Sequence, residues 1–279
     1  MLQGKRVRRT TLRLPEPPGP RHGQWSIPLH ARTDPDRHAD AAEAPQTGVR
    51  PGFTALRMLL LGDSSMAGVG ADHQSDALSG ALGHALGARE MQQEDVACLV
   101  VQWQLVARTG LRTREMADLL TLSDQALVFG QTEVTGPQGR AASVGFVQRT
   151  GPVDLALVAL GVNDATALQS ASAFRREVRR LKAHLQDNLG VRRVLWSGLP
   201  PMHRFPALPQ PLRAVLGRKA IELDAVLHEL GPDYLPMPAR LDPDWIAADG
   251  FHPGPRAYAA WAQQMAPRLR AALTSVRWR

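Results

Sequence analysis

Met58-Leu59-Leu60-Leu61-Gly62-Asp63-Ser64-Ser65 is the stretch from which the fold and the chemistry of this 279-residue chain can be argued. Its apolar first half predicts a strand that is buried on both faces. Its second half has the composition of a turn, so Ser64 would stand exposed where the strand ends and a nucleophile can work. Because Gly-Asp-Ser is also an ordinary turn string, a function needs support from other segments.

The rest of the chain alternates between strand-like and helix-like segments. Further apolar runs follow the first one, and stretches with apolar residues three or four positions apart lie between them. This alternation predicts an α/β fold with a parallel sheet. The predicted strands are 57–61, 98–106, 154–160, 193–197 and 234–237. The predicted helices are 75–90, 113–120, 172–189, 212–230 and one that opens at Gly254-Pro255.

The composition is that of an ordinary globular protein. With 44% hydrophobic residues, the chain can bury the core of one large domain or two small ones. No apolar run approaches the length of about 18 residues that a membrane span needs. The lone cysteine, Cys98, excludes an internal disulfide, and no Cys/His cluster indicates a metal site.

Residues 1–53 differ in composition from the remainder. The first 50 residues contain seven prolines and nine Lys/Arg against five Asp/Glu, a net of +4 out of +7 for the whole chain. We expect a Pro/Arg-rich arm that is extended or partly disordered, in which Trp25, Ile27 and Leu29 could dock as a short strap. Residues 54–279 would then form the folded domain, and its nearly even charge balance predicts no nucleic-acid partner.

Two segments outside the predicted sheet carry expectations of their own. A β-hairpin insertion is expected at 127–148, where Val128-Phe129 and residues 144–147 could pair across Gly136-Pro137. Near the start, Arg8-Arg9 is similar to a twin-arginine signal, but prolines and charges follow it instead of an apolar stretch. No signal peptide is therefore predicted, and a cytoplasmic location is the expectation.

Two distant segments supply what a reactive serine needs. A serine hydroxyl is a poor nucleophile until a base takes its proton. His252 is the candidate base because the ordinary pKa of imidazole is near neutrality. Asp249, three residues earlier, can hold the other ring nitrogen, which is the nucleophile, base and orienter logic of a serine hydrolase. The order Ser, Asp, His matches α/β-hydrolases, but the G-x-S-x-G elbow of that fold is missing.

Acyl transfer also needs hydrogen-bond donors aimed at the developing oxyanion. The Asn163 amide, in Gly161-Val162-Asn163-Asp164 after the third predicted strand, is one candidate. The backbone N–H groups of Ser64 and of Gly110, after the second strand, are two more. All these groups follow carboxyl ends of predicted strands, where open parallel sheets place their sites.

Taken together, these segments resemble the sequence blocks of the SGNH (GDSL-type) hydrolases over most of the folded domain. The resemblance implies a three-layer α/β/α sandwich of flavodoxin-like topology with a five-stranded parallel sheet. It implies ester hydrolysis without a cofactor, with Ser64 as the nucleophile and Asp249 and His252 completing the triad. Gly110 and Asn163 would complete the oxyanion hole. Ser65 replaces the leucine of the commonest family string, a departure that leaves the role of Ser64 intact.

Each candidate residue also has a purely structural interpretation. Ser64 could be only a turn residue, or Ser65 could be the nucleophile in its place. Asn163 could cap its strand and Gly110 could serve a turn. Asp249 could be a turn aspartate while the histidine leans on a backbone carbonyl.

The function that these segments predict is a serine hydrolase of esterase or lysophospholipase type. It would cleave a small-molecule carboxylic ester through an acyl-enzyme intermediate. One alternative is the same chemistry on an O-acetyl group of a sugar or of the cell wall. Another is a non-enzymatic binding module in which the site is idle and the basic arm contacts an acidic partner.

Overall fold

A mixed sheet of six strands organises the computed structural model, which describes residues 12–28, 55–88, 98–122, 153–238 and 242–277. The hairpin expected at 127–148 lies outside these residues. The spatial order of the strands is β1-β3-β2-β4-β5-β6. The strands are β1 His22–Pro28, β2 Ala55–Gly62, β3 Cys98–Ala107, β4 Leu155–Ala159, β5 Arg193–Ser197 and β6 Tyr234–Leu235.

The five predicted strands are all present as β2 to β6, and each pairs in parallel with its neighbour. Numbered among themselves along the chain, they lie in the order 2-1-3-4-5, which is the flavodoxin-like arrangement. The predicted fold class is therefore confirmed. The strand count differs, because β1 adds a sixth, antiparallel strand at the edge beside β3.

Strand β1 comes from the segment predicted to be an arm. Trp25 and Ile27 alternate with polar residues and are buried, as period-2 patterning requires of an edge strand with one covered face. The Trp25 ring stacks on Trp103 of β3 at a centroid distance of 5.5 Å. The strap expected around Trp25 is thus a full strand, and its short apolar pattern was masked by the surrounding prolines.

Helices cover both faces of the sheet. On β2, Leu59 and Leu61 point into one apolar cluster while Met58 and Leu60 point into the other, and all four are fully buried. The helices are α1 Leu78–Ala85, α2 Thr113–Leu122, α3 Val162–Thr166, α4 Ala171–Ala183 followed by a π-helical turn at His184–Asn188, α5 Leu212–His228 and α6 Pro255–Arg277. Helices α1 and α6 contribute to one cluster and α2, α4 and α5 to the other, which gives the three predicted layers.

The register of the sheet aligns the carboxyl ends of β2, β3 and β4. Gly62, at the end of β2, is paired with Ala107 at the end of β3 and with Ala159 at the end of β4. The segments that follow these three strands therefore leave the sheet side by side, at the carboxyl ends of the strands. Within the described ranges, no helix is both long and apolar enough to cross a bilayer, and no cluster of His, Cys, Asp and Glu could hold a metal ion.

Candidate active site

The turn after β2 places Ser64 at the base of the site. A Cβ on Gly62 would lie 2.3 Å from the Cβ of Met66 and 2.7 Å from the Ala159 carbonyl oxygen, so only glycine fits where the chain turns. The next turn is closed by the Ala67 N–H, which donates to the Asp63 carbonyl at 2.9 Å. Ser64 is only 7% exposed. It is therefore not the exposed turn residue that the sequence suggested, but a hydroxyl held inside a cleft.

His252 links Ser64 to Asp249. Its Nε2 lies 2.9 Å from the Ser64 Oγ, and its Nδ1 lies 2.5 Å from the Asp249 Oδ2. The second carboxylate oxygen, Oδ1, accepts the backbone N–H groups of Phe251 and His252, each at 2.9 Å. Because one oxygen is fixed by the backbone of the turn, the other is aimed at the imidazole. The predicted spacing of three residues thus works through the turn at Gly250, whose φ is +68°.

The environment keeps Asp249 ionised. Burial acts to raise its pKa, but hydrogen bonds from the His252 ring and from the two backbone N–H groups outweigh burial and lower it. A carboxyl group with a lowered pKa in the folded state stabilises the fold above its unfolded pKa. This stabilisation is lost as the pH falls through the folded pKa. Near neutral pH, Asp249 therefore presents a negative charge to the imidazole.

Asn163 is oriented by its neighbours. Its Nδ2 donates to the Asp63 Oδ2 and to the Leu111 carbonyl oxygen, both at 3.1 Å. Burial raises the pKa of Asp63 to about 6, although a hydrogen bond from the Ser65 backbone N–H opposes that rise. Asp63 thus joins the Ser64 turn to the Asn163 amide.

Two backbone N–H groups were also predicted to bind the oxyanion, those of Ser64 and Gly110. Neither the N–H of Ser64 nor that of Gly110 has an acceptor among the described residues. Gly110 is exposed and has a φ of +83°, a backbone conformation that residues other than glycine adopt at a cost. The Leu111 carbonyl that Asn163 binds follows Gly110 directly. The Asn163 amide therefore joins the Ser64 turn to the residue that follows Gly110.

The Asp164 side chain connects α3 to the start of α2. Its Oδ2 accepts the backbone N–H of Thr113 at 3.1 Å and the hydroxyl of the same residue at 3.0 Å. Thr113 begins α2, so the short helix α3, which carries Asn163 and Asp164, is anchored to the helix that follows Gly110. Burial raises the pKa of this carboxyl.

A small apolar cavity of about 30 Å³ lies beside the serine. Residues that directly flank Ser64, Asn163 and His252 in the chain contribute to its walls. Phe251 packs edge-on against both His252 and Phe205, with centroid distances of 5.3 and 5.0 Å. The apolar walls are Leu160, Val162, Leu199, Phe205, Ile246 and Phe251.

Sequence reasoning missed Glu16, which binds the loop of Gly110. Its carboxylate accepts the Thr109 backbone N–H at 2.9 Å and the Thr109 hydroxyl at 2.8 Å. No local pattern distinguishes this glutamate from other charged residues of a proline-rich segment. The strand-like alternation at Trp25 and Ile27 was the available sign that the arm docks on the domain.

Comparison with known proteins agrees with this architecture. Residues 60–260 match the model of the GDSL-like lipase/acylhydrolase family. The match spans most of the chain, so the protein belongs to this family and is a serine ester hydrolase, as the sequence segments predicted. No curated protein matches the sequence.

Solved structures share the fold at low sequence identity. A carbohydrate esterase family 2 enzyme from Corynascus thermopiles (Myceliophthora fergusii) is 17% identical with a TM-score of 0.51, over 85% of this chain and 69% of that one. The inhibitor-bound aryl esterase of M. smegmatis is 14% identical with a TM-score of 0.51, over 78% and 99%. The carbohydrate acetylesterase Est24 of Sinorhizobium meliloti is 14% identical with a TM-score of 0.50, over 77% and 99%. At these identities, the likeness concerns the fold.

Proposed function

We propose that Ser64, His252 and Asp249 are the catalytic triad of this ester hydrolase. The observation that carries the proposal is the continuous hydrogen-bond chain from the Ser64 Oγ through both ring nitrogens of His252 to the Asp249 carboxylate. The Asp249 contact favours the tautomer with the proton on Nδ1, which leaves Nε2 able to accept the serine proton. The Ser65 backbone N–H is bound by Asp63, and no such chain reaches the Ser65 side chain in the described structure.

The reaction follows from these contacts. The Ser64 Oγ bonds to the ester carbonyl carbon while its proton passes to the Nε2 of His252, and the carbonyl oxygen becomes an oxyanion. When the tetrahedral intermediate collapses, the bond to the alcohol oxygen breaks and His252 returns the proton to the leaving alcohol. Water then attacks the acyl group on Ser64 with His252 again as base. The carboxylic acid leaves and the serine is regenerated.

The oxyanion is stabilised by three donors in this proposal. They are the side-chain amide of Asn163 and the N–H groups of Ser64 and Gly110, which have no acceptor in the part of the chain that the structure describes. The Asn163 amide spans Asp63 and the Leu111 carbonyl, so it serves the oxyanion by sharing its bond to Leu111 while Asp63 keeps it in place. A preorganised donor of this kind contributes about 100- to 1,000-fold to the rate.

A fluorophosphonate probe tests the nucleophile. We expect one probe to attach covalently to the Ser64 peptide, because its phosphorus mimics the ester carbonyl and captures an activated serine. Mass spectrometry of the digested protein locates the adduct, and heat-denatured protein serves as the control because it lacks the His252 contact. A folded protein that resists the probe, or that carries it on Ser65, would contradict the proposal.

The size of the cavity favours short acyl groups. The cavity is lined by Asp63 and Ser65, the two neighbours of Ser64 in the chain, and the space within it that a water-sized sphere can enter is narrow, about 30 Å³. Its walls are apolar, and a methyl or ethyl group gains by leaving water there. We therefore propose acetyl and propionyl esters as the substrates that the acyl side accepts best.

Widening the cavity should change the chain-length preference. Leu199 forms part of its wall, and its side chain also packs against Gly161. We expect Leu199→Ala to shift the ratio of kcat/KM for p-nitrophenyl octanoate over acetate by about 10-fold towards octanoate. Leu185→Ala provides the control for lost packing, because this buried leucine lies in the π-helical turn after α4 and is not part of the cavity wall. An unchanged ratio in Leu199→Ala, or the same shift in both variants, would contradict this cavity as the acyl pocket.

A further inference from the structure

The arm that precedes β1 runs past the carboxyl ends of β2 and β3, where the site lies. The Gln74 N–H donates to the Pro18 carbonyl at 2.9 Å, and the Leu105 N–H donates to the Arg21 carbonyl at 2.7 Å. These bonds anchor the arm to the loop after β2 and to β3. The arm lies outside the part of the chain that matches the family, since that match starts at residue 60.

Glu16 and Arg21 form a small network between these anchors. One carboxylate oxygen of Glu16 accepts both the backbone N–H and the hydroxyl of Thr109. The other accepts from the Arg21 guanidinium at 2.9 Å, and a second nitrogen of that guanidinium donates to the Ala107 carbonyl at 2.5 Å. The Arg21 side chain is 13% exposed, so the pair is partly withdrawn from water and holds a defined geometry.

The loop that receives these bonds has few other supports. Arg108, Thr109 and Gly110 are exposed, and a Cβ on Gly110 would meet no heavy atom within 4 Å. The Arg108 N–H reaches the Gly62 carbonyl at a long 3.3 Å, and the Leu111 carbonyl accepts from Asn163. The Leu111 N–H closes this turn on the Arg108 carbonyl at 3.2 Å. Among the described residues, Glu16 is the one that binds Thr109 within the turn, and the Thr109 carbonyl and the Gly110 N–H form one rigid peptide unit.

We propose that Glu16, supported by Arg21, is a positioning residue that sets the direction of the Gly110 N–H. The inference rests on the proposed function, in which this N–H binds the oxyanion. A donor that is misplaced by a fraction of an ångström loses most of its effect on the transition state, while binding of the neutral ester changes little. The arm of this protein thus completes the oxyanion hole from outside the matched region.

The test compares Glu16→Ala, Glu16→Gln and the wild type with p-nitrophenyl acetate. We expect Glu16→Ala to lower kcat by about 10- to 100-fold with KM within about twofold, as expected for a displaced catalytic group. Affinity for an alkyl boronic acid, which forms a tetrahedral adduct on the serine, should fall with kcat. Glu16→Gln should recover part of the activity, because its amide oxygen can still accept from both Thr109 donors while its amide nitrogen can no longer accept from Arg21.

Matched controls separate positioning from general loss of structure. Glu229→Ala removes a carboxylate from an exposed ion pair with Arg175 between α4 and α5, and it should leave kcat unchanged. If Glu16→Ala does not fold, Thr109→Val is the substitute variant. It removes only the hydroxyl contact with Glu16 and should lower kcat by about threefold.

Other results would overturn the inference. Wild-type kcat in Glu16→Ala, a raised KM with unchanged kcat, or boronate affinity that does not fall would each exclude positioning. These failures are distinct from failure of the proposed function. If Ser64→Ala abolishes turnover while Glu16→Ala does not change it, only the role of Glu16 is wrong.

Discussion

Ser64→Ala should lower esterase activity by at least about 10,000-fold while the protein stays folded. The substitution removes the oxygen that attacks the carbonyl, so no acyl-enzyme can form. The Ser64 hydroxyl makes one hydrogen bond, to the Nε2 of His252, and this ring is partly exposed. Water can replace the lost partner, so we expect the free energy of unfolding to change by less than about 1 kcal/mol. Turnover of p-nitrophenyl acetate and a thermal melt measure the two effects.

Ser65→Ala is the matched control for this variant. It deletes the same hydroxyl one residue later, and the bond from its backbone N–H to Asp63 survives. We expect it to keep activity within about tenfold of the wild type, since a hydroxyl near the cavity can affect substrate binding. If Ser65→Ala loses activity while Ser64→Ala retains it, Ser65 and not Ser64 is the nucleophile.

Asp249→Asn should lower kcat by about 10,000-fold without disrupting the turn. The oxygen that accepts the N–H groups of Phe251 and His252 can be kept as the amide oxygen of asparagine. The amide nitrogen then faces the Nδ1 of His252 and donates to it. The ring proton must therefore move to Nε2, which can no longer take the proton of Ser64. Steady-state kinetics between pH 6 and 9, with a melt to confirm folding, is the measurement.

The control for Asp249→Asn is Asp233→Asn. Asp233 pairs with Arg193 at 2.9 Å on the surface, so its substitution removes a charge without touching the imidazole. We expect its kcat to match the wild type. Activity of Asp249→Asn within tenfold of the wild type would show that Asp249 only shapes the turn, which is the structural interpretation that the sequence left open.

The strands and layers could be predicted because they depend on local patterns. The run Met58 to Leu61 is apolar at every position, as a strand covered on both faces must be, and the structure buries all four side chains. Helix α4 follows from the spacing of Phe174, Val178 and Leu181, all of which are buried. The edge strand β1 was not predicted as a strand, because its apolar signal is two residues long and prolines surround it.

The candidate site could be predicted in its members but not in its connections. Ser64, Asn163 and His252 stand next to turn residues that a short motif specifies, so each could be found along the chain. That the Asn163 amide is shared by Asp63 and the Leu111 carbonyl could not, because these partners are 100 and 52 residues away in sequence. The cavity wall at Ile246 and Phe251 was missed for the same reason.

By itself, the sequence determined which segments become most of the strands and helices, which family the chain belongs to, and which few side chains are the candidates for acyl transfer. Only the tertiary structure decided that His252 meets Ser64 across 188 residues, that an apolar cavity forms near them, and that Glu16 reaches Thr109 across 93 residues. Secondary structure follows from propensities and periodicities of neighbouring residues. Contacts between loops depend on the register of the sheet and on packing over the whole domain, which no short stretch of sequence contains.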